Sequence, residues 1–361
     1  MESIKIDNTK VKRILIVRSD GLGDFILSLS ALNLIRTSFP KAHIVLFTGS
    51  WQEEIARSTK LFDEIIVWDG VTNYYFSSPR KLKYLSYRIF KFLPILKSRK
   101  FDVAIDFRTN NFINRIVIYL GGAKKRIGFN RGGLGFLLNQ IVKDREDVHK
   151  SLCFLDLVAS ITDIKEDFDF TLQIPQGYIK RAEDFLNNKG ITNKDIIVVI
   201  HPVARWPAKA WPKEKFARLS EQLLGLGRIK VVLIGAKEDL PRINEIENMM
   251  TKKPIISAGR LSFMETAALI KEAKLVIGND GAPAHLAGTF NIPTIALFGP
   301  TDPKVFSPVG THSIVIHKID KPCAGCSKKY CLYPEHFCMD KISVEEVFSI
   351  CKQNLNGARP G

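Results

Sequence analysis

No apolar run in this 361-residue chain reaches the roughly 18 residues that a membrane-spanning helix needs, so no such helix is expected. Cysteine is scarce, with six residues, and a chain of this length buries most of its apolar surface without covalent staples. That argues against a disulfide scaffold. There is no low-complexity tract and no short-period repeat, and 45% apolar with 25% charged residues is ordinary for a globular protein, which sets aside disordered and collagen-like chains. The dinucleotide fingerprint G-x-G-x-x-G is missing too. The opening stretch MESIKIDNTKVKRILIV carries acids early and only a four-residue apolar run. That is not the pattern of a secretory signal, and the cytoplasm is the expected compartment.

Acid is in short supply relative to base: 37 Asp and Glu face 53 Lys and Arg, for a net charge of +16. The excess is concentrated. Between Pro79 and Arg131 stand Arg80, Lys81, Lys83, Arg88, Lys91, Lys97, Arg99, Lys100, Arg108, Arg115, Lys124, Lys125, Arg126 and Arg131. Only Asp102 and Asp106 oppose these fourteen bases within the window, which therefore holds +12 of the +16. Such clustering suits an anionic partner, whether nucleic acid, acidic lipid or a phosphorylated substrate. A solvated face kept for solubility is the plain alternative. Tyr84, Tyr87, Phe90, Phe92 and Leu96 interleave with the charges, as in an amphipathic membrane contact or in a helix that turns its aromatics into a core.

What is abundant is the short, continuous Val/Ile/Leu run. RILIVR (13–18), HIVLFTG (43–49), EIIVWD (64–69) and DVAIDF (102–107) form one series. IIVVIH (196–201), KVVLIGA (230–236), PIISAG (254–259), LVIGND (275–280) and TIALFG (294–299) form a second. Continuous rather than alternating runs predict strands buried on both faces, hence parallel sheets covered by helices. One helix is expected from about Asp24 to Thr37, and a terminal one over Val344–Leu355. Pro and Gly interrupt the pattern at Thr171–Gly177. Two α/β domains are expected, over 1–172 and 178–361, with ligands at the carboxyl ends of the strands and between the domains.

Three segments follow strands directly. SDGLGD (19–24) offers Gly21 and Gly23, which permit a tight turn against a ligand, and Asp24, which could cap the next helix or act as a base. HPVARWPAKAWP (201–212) carries Arg205 and Lys209; the lysine suits a phosphate as a point charge, or it is a surface lysine above two packed tryptophans. GNDGAPAHLAG (278–288) starts a helix near Pro283, where the amides of Gly281, Ala282 and Ala284 could hold a phosphate. In that segment Asp280 could accept sugar hydroxyls, and His285 lies in the first helical turn. ALFGPTDP (296–303) closes the series with no role assigned.

Taken together, RILIVRSDGLGD, HPVARWPAKAWP and LVIGNDGAPAHLAGTFNIPTIALFGPTDP resemble, in order and spacing, glycosyltransferase family 9, the ADP-heptose:lipopolysaccharide heptosyltransferases. The resemblance runs over roughly residues 13 to 347. It implies a GT-B architecture, two Rossmann-like domains facing across a cleft, with an N-terminal acceptor domain and a C-terminal nucleotide-sugar donor domain. It implies an inverting enzyme in which Asp24 is the general base. Gly21, Gly23 and Arg205 lie in the matching motifs. Lys209 is implied to bind the donor diphosphate, and Asp280, with Gly281, Ala282 and His285 behind it, to contact the heptose. Glu238 is implied to meet the ribose, on a looser match. The acceptor implied is the lipid A core at the cytoplasmic face of the inner membrane, with the enzyme peripheral there. Where the family has Thr-Gly after the Asp, this chain has Gly281-Ala282, and it has Val203-Ala204 where hydroxyl or Gly residues are common. Another nucleotide sugar is thus a competing expectation, as is a non-enzymatic basic protein that binds nucleic acid or anionic lipid; no nucleic-acid recognition motif is present.

Cys323, Cys326, Cys331 and Cys338 fall within sixteen residues. Four thiols that close could hold a structural zinc or an iron–sulfur cluster, or pack as thiols in a loop. No cofactor is expected for the chemistry. Cys153 and Cys351 lie on helical patterns and read as core.

Overall fold

The computed structural model describes residues 6–7, 9–69, 92–109, 112–162, 171–318, 326–333 and 337–356. The chain divides into two compact units, Met1–Phe170 and Thr171–Gly361.

Unit 1 holds β1 (Arg13–Arg18), β2 (His43–Thr48), β3 (Glu64–Val67), β4 (Val103–Asp106), β5 (Lys125–Phe129) and β6 (Gln140–Val142). Unit 2 holds β7 (Ile196–His201), β8 (Ile229–Leu233), β9 (Ile255–Ile256), β10 (Leu275–Asn279), β11 (Thr294–Phe298) and β12 (Ser313–His317). Each set forms one six-stranded sheet, ordered β3-β2-β1-β4-β5-β6 and β12-β11-β10-β7-β8-β9. Every pairing is parallel. The central strands are buried along nearly their whole length, which is why their sequences do not alternate.

Both orders are the doubly wound one, so the order of strand addition reverses once in each sheet: between β1 and β4 in unit 1, and between β7 and β10 in unit 2. At such a switch point the two flanking loops diverge, leaving a crevice at the carboxyl ends. SDGLGD leaves β1, HPVARWPAKAWP leaves β7 and GNDGAPAHLAG leaves β10, so the fold puts all three segments at switch points.

Several expectations shift. The helix expected over 24–37 is two helices, Leu22–Leu27 and Leu29–Ser38. They part at Ser28, whose hydroxyl donates back to the Phe25 carbonyl at 2.7 Å, a bond that competes with regular helix. β5, β6 and β12 are additional to the runs read from the sequence, and β9 has two residues where six were expected. The helix Ala282–Thr289 passes so close to the turn at Val309–Gly310 that a methyl on Gly288 would land on the Val309 carbonyl oxygen.

The core of unit 1 gathers Leu15, Val17, Phe47, Trp68 and Phe101, with Leu96 buried among them and Phe92 packed against them. Phe92 lies 6.1 Å from Phe47 and 6.2 Å from Trp68, ring to ring. These two members of the interleaved stretch therefore face the core rather than a membrane; Tyr84, Tyr87 and Phe90 lie outside the described residues. Cys153 and Cys351 are fully buried. Among the described residues no helix is long and apolar enough to cross a membrane.

Candidate active site

In unit 1 the turn after β1 is built around a buried cation. Arg18 is completely buried. Its guanidinium donates to the carbonyl of Phe107 at 2.7 Å and to the carbonyl of Asp24, pairs with the Asp20 carboxylate at 3.1 Å and lies 4.3 Å over the Phe154 ring. The turn is held from the other side by the side chains of Trp51 and Gln52, which donate to the Asp20 carbonyl at 2.6 and 3.0 Å. Gly21 is the N-cap of the helix that follows, and Asp24 sits in the first turn, where the helix dipole favours a carboxylate. The cap reading of Asp24 therefore gives way: Gly21 holds that position. The Asp24 Oδ2 atom lies 3.2 Å from where a Cβ on Gly21 would stand, so the glycine makes room for the carboxylate. Gly21, Gly23 and Asp24 are all half-buried.

Next to this turn, at the end of β4, stands a second buried acid. Asp106 accepts from the amide of Arg108 at 3.0 Å and from Asn114 at 2.9 Å, both through Oδ1. Its Oδ2 is buried without a hydrogen-bond partner among the described residues. Burial pushes its pKa up to about 7, against those bonds and the charge of Arg115. Burial likewise lifts Asp20 to about 6, with Arg18 opposing and Asp24 adding to the rise. Arg18, Asp20, Asp106 and Asn114 were not singled out as site residues in the sequence. A basic residue closing a buried strand was the available signal for Arg18.

In unit 2, Lys209 and Asp280 meet. The Lys209 ammonium is 2.6 Å from Asp280 Oδ2 and 4.8 Å from the centre of the Trp206 ring. The Thr301 hydroxyl donates to the same Oδ2 at 2.7 Å. His285 Nε2 lies 3.9 Å from Oδ1. Asp280, His285 and Thr301 are all buried. Asn279 ties the loops together: its side chain accepts from the Trp211 amide at 2.9 Å and donates to the Val203 carbonyl at 3.1 Å. Trp211 is core and donates to the Ile342 carbonyl at 3.0 Å. Gly281 is the N-cap of the helix, with Ala282 its first residue. The amide of Ala284, expected to be available to a ligand, instead donates to the Gly281 carbonyl at 3.1 Å. His201, at the end of β7, has its pKa pushed down to about 4 by burial. Its Nδ1 has no hydrogen-bond partner among the described residues, and it lies 4.0 Å from where a Cβ on Gly281 would stand.

Arg205 and Glu238 are exposed; no described side chain draws either into this cluster. Glu238 belongs to a short 3-10 turn, Lys237–Asp239, beyond β8. Of the clustered cysteines, Cys323 lies outside the described residues, while Cys326, Cys331 and Cys338 are half-buried. Among the described residues no three His, Cys, Asp or Glu side chains form a group that could hold a metal. The cysteine segment has a visible mechanical part. The Ser327 amide donates to the Pro300 carbonyl at 2.8 Å, and the Lys329 carbonyl accepts from the Ala208 amide at 3.2 Å. Residues 326–333 thus brace the two loops that carry Thr301 and Lys209.

The family model described as glycosyltransferase family 9 (heptosyltransferase) matches residues 89–336. The chain belongs to glycosyltransferase family 9. The matched stretch includes Lys209, Asp280 and Thr301, whereas Asp24 precedes it. Lipopolysaccharide heptosyltransferase 3 of Escherichia coli is 28% identical over 291 residues, covering 78% of this chain and 81% of its own. Among solved structures, a glycosyl transferase of family 9 from Veillonella parvula superposes with a TM-score of 0.80 at 23% identity, covering 96% of this chain and 98% of its own. The ADP-heptose LPS heptosyltransferase II of E. coli gives 0.76 at 22% identity, covering 96% and 98%. The protein is a glycosyltransferase with the GT-B fold, as the motifs implied.

The basic window is less open than its composition implied. Arg80, Lys81, Lys83, Arg88 and Lys91 lie outside the described residues. Acids from beyond the window meet part of the remainder: Glu64 pairs with Arg99, and Asp144 and Glu146 lie 3.7 and 2.7 Å from Arg131. Lys124 pairs with Asp102 at 2.9 Å. Arg115 is buried and donates to the carbonyls of Phe129, Gly133 and Arg131.

The raised pKa of Asp106 makes stability depend on pH. Its folded value exceeds its unfolded one, so the folded chain holds this proton more tightly, and stability falls as pH rises from about 4 to about 7. Asp20 adds to the same trend. Asp106→Asn keeps the Oδ1 acceptor and removes the buried charge. The expected outcome is a thermal unfolding midpoint that gains on wild type as pH goes from 5 to 8. Parallel midpoint curves for the two proteins would show that Asp106 is not protonated by burial.

Proposed function

We propose that this glycosyltransferase moves heptose from ADP-heptose to the inner core of lipopolysaccharide, with inversion at the anomeric carbon. The observation that carries the reading is the Lys209–Asp280–Thr301 cluster at the unit 2 switch point, beside a helix N-terminus and inside the family match. A lysine next to backbone amides suits a diphosphate, and a buried carboxylate beside it suits the hydroxyls of a sugar.

In this reading the diphosphate engages Lys209 and the amides at Gly281 and Ala282, which stabilise charge building on the departing ADP. Asp280, with His285 behind it, orients the sugar. Glu238 meets the ribose, and Arg205 adds positive charge at the loop. Asp24 of unit 1 takes the proton from the acceptor hydroxyl as it attacks the anomeric carbon from the face opposite ADP. Arg18 fixes the Asp24 main chain, and Gly21 gives the carboxylate its room. Unit 1 is thus the acceptor domain and unit 2 the donor domain. No cofactor takes part in these steps.

The first test is calorimetric titration with ADP, UDP, GDP and CDP. Selective ADP binding that is lost in Lys209→Ala is the expected result. Preference for another nucleotide would replace the donor and keep the reaction class; an unchanged dissociation constant in Lys209→Ala would remove that residue from the phosphate site. General-base catalysis contributes typically 10²–10⁴-fold, so Asp24→Ala should lower turnover by about that factor with ADP affinity retained. A folded Asp24→Ala with near wild-type turnover would sink the base assignment.

The acceptor of this reading is an anionic lipid, and a net charge of +16 favours a peripheral position on the cytoplasmic face of the inner membrane, where each Lys or Arg near an acidic surface contributes about 1 kcal/mol. Vesicle flotation should show binding that rises with the fraction of anionic lipid. Flotation independent of lipid charge would discard this location.

A further inference from the structure

Asp280 Oδ2 has two donors where an ion pair needs one: Lys209 Nζ at 2.6 Å and Thr301 Oγ1 at 2.7 Å. They differ in freedom. Lys209 is a flexible side chain, 17% exposed at its side chain, on the short turn Pro207–Lys209. Thr301 is 4% exposed and has one rotatable bond to its hydroxyl-bearing carbon. Its loop is anchored at the preceding residue by the bond from Ser327 to Pro300. A diphosphate that recruits Lys209 draws the ammonium away from Asp280. The carboxylate, 8% exposed, would then be left buried with an unmatched oxygen unless another donor stayed behind, and such a loss is costly.

We propose that Thr301 is a positioning residue for the sugar end of the donor site: its hydroxyl keeps Asp280 Oδ2 satisfied and aimed while Lys209 turns to the diphosphate, so that Oδ1 stays presented to a sugar hydroxyl. This rests on the reading of Asp280 and Lys209 given above. It gives ALFGPTDP a role that its sequence did not declare. The ion pair is the resting partnership of Lys209, and the hydroxyl makes it exchangeable.

The consequence at the sugar end is read from the ratio of the ADP-heptose and ADP affinities. Thr301→Val keeps the shape and removes the donor. Its ADP affinity should itself fall severalfold, because drawing Lys209 to the diphosphate then leaves Asp280 Oδ2 without a donor. The extra affinity that ADP-heptose has over ADP should fall by roughly tenfold, the scale of one hydrogen bond to a charged acceptor. Thr301→Ser, which restores a hydroxyl, should recover most of it. A residue that only supported the fold would lower the unfolding midpoint or the active fraction and leave the ratio of the two dissociation constants unmoved.

The experiment is calorimetry of wild type, Thr301→Val, Thr301→Ser and Asp280→Asn with ADP and with ADP-heptose. A reduced ratio in Thr301→Val and Asp280→Asn, with recovery in Thr301→Ser, supports the proposal. A wild-type ratio in Thr301→Val, with a reduced one in Asp280→Asn, overturns the role of Thr301 alone. A wild-type ratio in Asp280→Asn, or a wild-type chain that does not distinguish ADP-heptose from ADP, overturns the reading of Asp280 and the proposal with it.

Discussion

A carboxylate at the end of a buried strand must be matched by donors, because an unmatched charge in that position costs several kcal/mol. Asp280 imposes this demand on unit 2, and two loops answer it. Lys209 arrives from the loop after β7 and Thr301 from the loop after β11, while the His285 ring, on the helix that Asp280 itself introduces, stands 3.9 Å from the other carboxylate oxygen. Its neighbour Asn279 bonds to Val203 and Trp211 of the first loop. The carboxyl end of the sheet is therefore cross-linked through one dipeptide, and the loop conformations follow from where its polar atoms point.

Unit 1 meets the same problem with the opposite charge. Arg18 is buried at the end of its central strand, and its partners are two main-chain carbonyls, one carboxylate and one aromatic face. Carbonyls at Phe107 and Asp24 satisfy the guanidinium only if the β4 end and the first helical turn hold fixed positions. The cation thereby sets the backbone on which Asp24 rides. The acids beside it feel burial more than attraction, which is why Asp20 and Asp106 are pushed up towards neutral pH. Each switch point thus has its own buried ion as keystone.

The strands were legible because parallel strands buried on both faces must be continuously apolar. RILIVR and IIVVIH coincide with β1 and β7. The strands that were not legible, KRIGF, QIV and SIVIH, sit at or next to the edges of their sheets, where no long hydrophobic run is demanded. The break at Ser28 depends on a single side-chain bond to the main chain, and no periodicity reports it. Candidate site residues directly after strands follow from chain order alone. Thr301 could not, because its significance is a distance to a carboxylate 21 positions earlier. Nor could Glu64, Asp144 and Glu146 be seen opposing the basic window, since they lie outside it in sequence.

That opposition bears on what the positive charge can do. Ion pairs such as Lys124–Asp102 are exposed on the cationic side, and such pairs contribute little to stability. Main-chain carbonyls satisfy Arg115 and Arg126 without cancelling their charge. Pairing rearranges the local field, but the net charge remains +16. At physiological salt the field decays over about 8 Å, so it can gather an anionic surface and cannot read one. Discrimination among anionic partners has to come from groups held at fixed distances, and among the described residues those groups are gathered at the two switch points.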